Sequence, residues 1–221
     1  MILAAGRGER MRPLTDTTPK PLLLIEGKPI IQYTIEQLVS AGFTEIVINI
    51  AHLGHQIKKT IGNGNQFGAT IEYSDEGESA LETAGGIINA LPLLGKDRFL
   101  VVNGDIANNY DFSLLQGKSC DLAHLVLIPN PEHHQQGDFH LSTNGLLSET
   151  GTPTLTFSGI GIYNPKLFND IAPGKTRLAP LLRLAMKQNR ITGEKFNDFW
   201  MDIGTPERLK ELEKHYQNAT M

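Results

Sequence analysis

Several absences narrow what this chain can do. It has one cysteine in 221 residues, Cys120, so no disulfide can form within it and a reducing compartment is expected. Cys120 stands at the mouth of an apolar strand with no motif around it, which reads as a buried thiol rather than a nucleophile. No apolar run approaches the roughly 20 residues that cross a bilayer. The opening Met1-Ile2-Leu3-Ala4-Ala5 is too short for a signal-peptide core and has no basic leader. Positive charge is in short supply, with 20 Lys and Arg against 24 Asp and Glu and a net charge of −4, which argues against non-specific nucleic-acid binding. There is no Walker loop and no Ser-His-Asp or Cys-His pattern. The expectation is one cytoplasmic domain over 1–221 that takes small-molecule substrates and binds neither nucleic acid nor membrane.

The scarce positive charge is concentrated at the start. Residues 1–20 hold Arg7, Arg10, Arg12 and Lys20 against Glu9 and Asp16, a local balance of +2 in an acidic chain. A short apolar strand runs into Gly6-Arg7-Gly8-Glu9-Arg10, and Lys20 stands between Pro19 and Pro21. Such a turn aims backbone N–H groups and cations at one polyanion, pointing to a phosphate-rich ligand, a nucleotide. Gly6-x-Gly8 imitates a dinucleotide fingerprint, and Glu26 lies where a ribose-binding acid would fall. Met11 takes the place of the third glycine, however. Pro13, Pro19 and Pro21 forbid the long helix that should follow.

Along the chain, strands and helices alternate. Met1–Ala5 reads as a strand, and Pro29 opens a helix to Ala41 with a stripe of Ile30, Ile31, Ile35, Leu38 and Val39. Strands follow at 45–50 and 69–74, with a short helix at 56–61 between them. A helix at 85–94 precedes strands at 99–102 and 121–128. This order implies an α/β fold, a mostly parallel sheet covered on both faces. Residues 138–142, the Asn144-Gly145 turn and 155–163 read as a small antiparallel insertion. A helix at 178–188, a strand at 198–203 and a final helix from Thr205-Pro206-Glu207 to Gln217 complete the pattern. Met1 stands almost inside the first strand, which leaves room for a few residues before it.

The string Leu3-Ala4-Ala5-Gly6-Arg7-Gly8-Glu9-Arg10-Met11-Arg12-Pro13-Leu14-Thr15, with Pro19-Lys20-Pro21, resembles the sugar-phosphate nucleotidyltransferases. The likeness continues at Glu82-Thr83-Ala84-Gly85-Gly86, Asn103-Gly104-Asp105 and Trp200-Met201-Asp202-Ile203-Gly204-Thr205. Two further stretches, 124–139 with His133-His134 and 155–161, are similar to the N-acetylmuramate-1-phosphate uridylyltransferases of cell-wall recycling. The resemblance implies a Rossmann-like, glycosyltransferase-A-like fold and transfer of uridylyl from UTP to a sugar 1-phosphate, giving a UDP-sugar and pyrophosphate. Mannose-1-phosphate guanylyl transfer and glucose-1-phosphate thymidylyl transfer are the enzymatic alternatives; a non-catalytic nucleotide-sugar sensor is the other. The oligomeric state stays open between monomer and small homo-oligomer. The chain is too short for the β-helix acyltransferase domain that some members carry.

By the same resemblance, Gly8, Glu9 and Arg10 form the triphosphate loop, Arg10 acting on the leaving pyrophosphate. Lys20 bridges the nucleotide's phosphates and the incoming sugar phosphate. Gly85 and Asn103 face the nucleotide, while Gly137, Asp138, Ser158 and Gly159 fall where sugar is recognised. Asp105 and Asp202 end separate strands, read as parallel, and can meet at one sheet edge, where α/β ligands bind. Mg²⁺ needs one or two carboxylates besides phosphate oxygens and water, so this pair suffices. Taken singly, Lys20 could be a solvated turn residue, Asn103-Gly104 a hairpin turn and Asp202 a turn acid beside a cap. The histidines at 52, 55, 133, 134 and 140 lack companion cysteines or a His-Glu-x-x-His pattern, so they read as surface or hydrogen-bonded side chains and no zinc is expected.

Overall fold

The computed structural model describes residues 1–78 and 80–219. In chain order the regular elements begin with β1 (Ile2–Leu3), the ribbon β2 (Leu24–Ile25) and β3 (Lys28–Pro29), then α1 (Ile30–Ser40), β4 (Glu45–Ile50) and α2 (Gly54–Ile61). Next come β5 (Thr70–Asp75), α3 (Glu82–Leu94), β6 (Phe99–Asn103), β7 (Ile106–Asn108) and β8 (Ala123–Ile128). The remainder is β9 (Phe139–Leu141), β10 (Leu147–Ser148), β11 (Thr154–Tyr163), α4 (Leu178–Lys187), β12 (Ile191–Lys195), β13 (Trp200–Asp202) and α5 (Pro206–Ala219).

Nine strands form one mixed sheet. β5, β4, β1 and β6 run parallel in that spatial order, and β11 closes onto β6 antiparallel. β8 pairs antiparallel with β11, and β12 lies parallel outside β8. β9 and β10 hook antiparallel onto the start of β11, but β11 itself, expected as part of a small insertion, is a strand of the main sheet because its apolar run pairs with both β6 and β8. Because β1 sits between β4 and β6, the strand order reverses beside it. Ligand crevices of open α/β sheets form outside the carboxyl ends of strands at such a reversal. The phosphate loop leaves β1 there, and Asn103-Gly104-Asp105 leaves β6 there.

Alternation along the strands supplies both faces. Ile46, Ile48, Ile50, Leu100 and Val102 point toward α1 and α2, joining Ile31, Ile35, Leu38, Ile57 and Ile61. Val47, Phe99, Val101, Leu125 and Leu127 point the other way, toward Ala84, Ile87 and Ala90 of α3 and Leu182 and Met186 of α4. A third cluster holds α5 through Leu212 against Ile25, Ile30, Ala107 and Ile203. Cys120 is buried and free. No helix of the described residues is long and apolar enough to cross a membrane.

Two more expectations change. The strand at 198–203 is not a parallel strand end: β13 pairs antiparallel with β7 in a ribbon of its own, Asp202 opposite Ile106. The ribbon forms because the chain after Asp105 continues extended, and Trp200 pins its other strand, the indole Nε1 donating to Ser158 O at 2.9 Å. The strand β12 was not expected at all.

Candidate active site

The loop after β1 has almost no regular structure beyond short 3-10 turns at Glu9–Met11, Leu14–Asp16 and Lys20–Leu22. Met11 anchors it in the third core cluster, and the Thr15 hydroxyl donates to Gly8 O at 2.9 Å. The arginines divide their work. Arg7 pairs with Glu9 at 2.8 Å and Arg12 with Asp16 at 2.6 Å, all on the surface. Arg10 has no ion-pair partner among the described residues and is exposed, which leaves its charge available to an anion. Lys20 is only 8% exposed, and its ammonium donates to Asp105 Oδ2. A buried ammonium is tolerable when paired in this way.

Asp105 and Asp202 come together through the β7–β13 ribbon rather than through parallel strand ends. Ile203 N donates to Asp105 O at 2.8 Å, which sets the two segments side by side. Asp202 is itself paired, with Arg208 of α5. Gly104 lets β6 pass close to β1: its N donates to Leu3 O at 2.9 Å, and a Cβ there would stand 2.7 Å from that same oxygen. Among the described residues no group of three or more His, Cys, Asp or Glu is arranged to hold a metal. A pair of carboxylates of this kind would fit Mg²⁺ completed by phosphate oxygens and water and would not fit an all-protein cage.

A cleft of about 730 Å³ opens over β1 and β6, lined among others by Ala5, Gly6, Lys20, Thr83, Asn103 and Asp105. A smaller lobe of about 250 Å³ shares Gly6, Glu9, Lys20 and Asp105 and adds Gly8, Arg10 and Gly204. The phosphate loop, both proposed cations and Asp105 thus line one continuous space. One wall is braced by Asn49, whose Oδ1 accepts from Ala4 N at 2.7 Å while its Nδ2 donates to Glu76 Oε1 at 2.6 Å. Glu76 Oε2 in turn accepts from Leu81 N at 2.7 Å, so a single carboxylate joins two strand ends to the start of α3.

The glycines of α3 need correction. The space beside Gly85 is filled by the Gly174 carbonyl, and that beside Gly86 by the Glu76 carboxylate. Gly85 N donates to Thr176 O at 3.0 Å. Their missing side chains admit the protein's own backbone and carboxylate, not a ribose or base, and Gly85 does not line the cleft. The proposed sugar residues change too. Asp138 Oδ2 accepts from Phe157 N at 2.8 Å, and Oδ1 lies 3.1 Å from His134 Nε2. Both oxygens are engaged within the chain, holding the hooked strands in register. The Ser158 hydroxyl is buried and donates to Val126 O at 2.7 Å. Gly137 packs on Asn130, and neither Gly137 nor Asp138 reaches the cleft. Gly159 is different: β11 bulges between Phe157 and Ile160, and Gly159, at φ 82°, lies against the Asn103 carboxamide. A bulge re-aims the chain beside a site, and this one sets Asn103 on the cleft wall.

A model of the nucleotidyl transferase family matches residues 1–219. The chain belongs to that family. The nucleotidyltransferase is 52% identical over 96% of its length to N-acetylmuramate alpha-1-phosphate uridylyltransferase of Neisseria meningitidis serogroup B, and covers 96% of that protein. It is 32% identical to the enzyme of the same name from Caulobacter vibrioides, over 99% of this chain and 97% of the other. HddC from Yersinia pseudotuberculosis, solved with GMP-PN, superposes with a TM-score of 0.78 at 21% identity, covering 97% of each chain. That likeness shows the fold.

Three wall residues of this nucleotidyltransferase had no sequence signal strong enough to find them. Asn49 is the last residue but one of β4, and His52 lies two residues beyond the strand. Lys175 enters the cleft from the segment between β11 and α4. Gly174-Lys175-Thr176 carries part of a phosphate-loop string, but Thr176 N donates to Leu81 O at 3.0 Å and is unavailable to a phosphate. What would have found Lys175 is its place just before the helix that opens at Leu178.

Proposed function

We propose that this nucleotidyltransferase transfers uridylyl from UTP to N-acetylmuramate 1-phosphate, giving UDP-N-acetylmuramate and pyrophosphate. The observation that carries the reading is the 52% identity, end to end, with the Neisseria enzyme of that name. A phosphate oxygen of the sugar 1-phosphate attacks the α-phosphorus of UTP, and the bond from that phosphorus to the β-bridging oxygen breaks. No proton moves and no covalent enzyme intermediate forms, which agrees with a site built from cations and carboxylates. Two anions must be brought into line, so catalysis consists of positioning and charge stabilisation. Lys20, stiffened between two prolines and held by Asp105, would reach the transferring phosphate. Arg10 would neutralise the leaving pyrophosphate. Asp105 and Asp202 would hold Mg²⁺, which supplies charge stabilisation at the bridging oxygens. Asn103, with Gly159 packed behind it, would bound the sugar side of the cleft. The natural setting is the cytoplasm, where UTP is available.

Initial rates of pyrophosphate release test this, with UTP, GTP and dTTP each offered with the 1-phosphates of N-acetylmuramate, N-acetylglucosamine, mannose and glucose. The expected best pair is UTP with N-acetylmuramate 1-phosphate. Fastest turnover of mannose or glucose 1-phosphate would overturn the substrate and leave nucleotidyl transfer standing. No turnover of any pair would favour a sensor.

A further inference from the structure

We propose that Arg208, backed by His133, is a positioning residue that makes Asp202 a one-oxygen metal ligand. The inference rests on the magnesium reading of Asp105 and Asp202 above. Asp202 Oδ1 accepts from Arg208 Nη1, and His133 Nε2 lies 3.1 Å from that oxygen and 2.9 Å from the same guanidinium nitrogen. Asp202 Oδ2 has no hydrogen-bond partner among the described residues. Its neighbour is Gly204, where a Cβ would stand 2.8 Å from Oδ2 and overlap the Arg208 guanidinium. Gly204 lines the small lobe together with Lys20 and Asp105. Asp202 Oδ1 is therefore committed to Arg208, with His133 against the same contact, and Oδ2 is left unpartnered beside Gly204, which lines the lobe.

Asp105 repeats the arrangement: Lys20 takes Oδ2, and Oδ1 has no hydrogen-bond partner among the described residues. Asp105 lines the lobe with the phosphate loop, and Asp202 stands against Gly204 at its edge, each with one oxygen unpartnered among the described residues. This suits Mg²⁺, which demands near-octahedral single-oxygen ligands, better than it suits a cation that accepts bidentate carboxylates. A carboxylate's terminal torsion is broad and roughly two-fold, so without a clamp Asp202 would exchange its oxygens or turn both toward the lobe. Arg208 is well placed to prevent that. It sits in the first turn of α5, whose Leu212 is buried in the third core cluster, and its side chain is only 15% exposed. His133 comes from the 3-10 turn Glu132–His134 beyond β8, so a segment 69 residues upstream braces the pair. This gives His133 a task that a solvated surface histidine would not have.

The test is Mn²⁺ binding to the folded enzyme with a non-hydrolysable UTP analogue, followed by electron paramagnetic resonance, alongside steady-state kinetics. Arg208→Gln should weaken Mn²⁺ by roughly tenfold or more, the scale on which partners behind a metal ligand act. It should lower kcat with little change in KM for UTP, and Arg208→Lys should recover part of both. His133→Ala should move in the same direction by less. Gly204→Ala, which displaces the pair with every charge intact, should also weaken Mn²⁺ and serves if Arg208→Gln does not fold. Asp202→Asn in the same titration separates the two readings. Mn²⁺ binding lost in Asp202→Asn but normal in folded Arg208→Gln would overturn the clamp alone. Mn²⁺ binding retained in Asp202→Asn would overturn the metal assignment, and the clamp with it.

Discussion

Lys20 is the side chain on which most of the site's geometry converges, because the phosphate loop, the end of β6 and the cleft meet at its ammonium. Lys20→Ala should reduce kcat/KM by roughly 10²-fold or more, the scale of a donor placed where charge develops, measured by pyrophosphate release at saturating Mg²⁺. A value near wild type would make Lys20 a loop residue only. The sequence made this lysine and Asp105 legible, since each stands in an unbroken string of characteristic neighbours. Asp138 lies off the cleft, and the sequence hides this for a physical reason. A carboxylate beside a glycine turn looks the same in sequence whether it accepts from a substrate hydroxyl or from Phe157 N, as it does here. Asp138→Asn should therefore lower stability more than it changes the ratio of rates between sugar 1-phosphates.

Among the elements, β12 shows where pattern reading fails. Ile191-Thr192-Gly193-Glu194-Lys195 has one large apolar residue and a glycine, yet pairs with β8 along its whole length. Its register is fixed by a polar knot instead. Glu194 accepts from Lys118 at 2.7 Å and from Tyr110, and lies 3.1 Å from His124 Nε2, whose other ring nitrogen contacts Thr192 Oγ1 at 2.8 Å. The His124 bond first, then those of Lys118 and Tyr110, hold the Glu194 carboxyl down at about 2, against desolvation that pushes it up. A carboxylate whose folded pKa is depressed stabilises the fold above its unfolded value and loses that contribution as the pH falls through the folded one. Glu194→Gln should thus cost about 2 kcal/mol near neutral pH, the scale of hydrogen bonds to a charged group. The gap from wild type should shrink between about pH 4.5 and 2. Urea unfolding at pH 7 and pH 3 checks this, and an equal gap at both would show that Glu194 is not ionised by the fold. The β7–β13 ribbon was hidden for a related reason: three-residue strands carry too few alternations to reveal their partner. The long apolar strands and α1 were plain because their burial periods are complete.

At the scale of the whole molecule, the fold should not depend on metal, because both proposed ligand carboxylates already have cationic partners within the chain. Chelation should abolish turnover while leaving the melting temperature of the nucleotide-free protein unchanged. Adding Mg²⁺ with UTP should raise it, since a ligand that binds only the folded state stabilises by mass action. A large drop in melting temperature on chelation alone would contradict the pairing. The contact between Lys20 and Asp105 has a consequence beyond chemistry. It joins residues 85 positions apart in the chain, tying a loop with little regular structure of its own to the centre of the sheet, so it acts as a tertiary fastener. Removing one member strands the other as an uncompensated charge, which is worse for the fold than removing both. Lys20→Met and Asp105→Asn should therefore fail to add: the double variant should unfold at a higher denaturant concentration than the sum of the singles predicts, although it turns over no substrate. Loss of activity and loss of stability would then run in opposite directions across the same two residues.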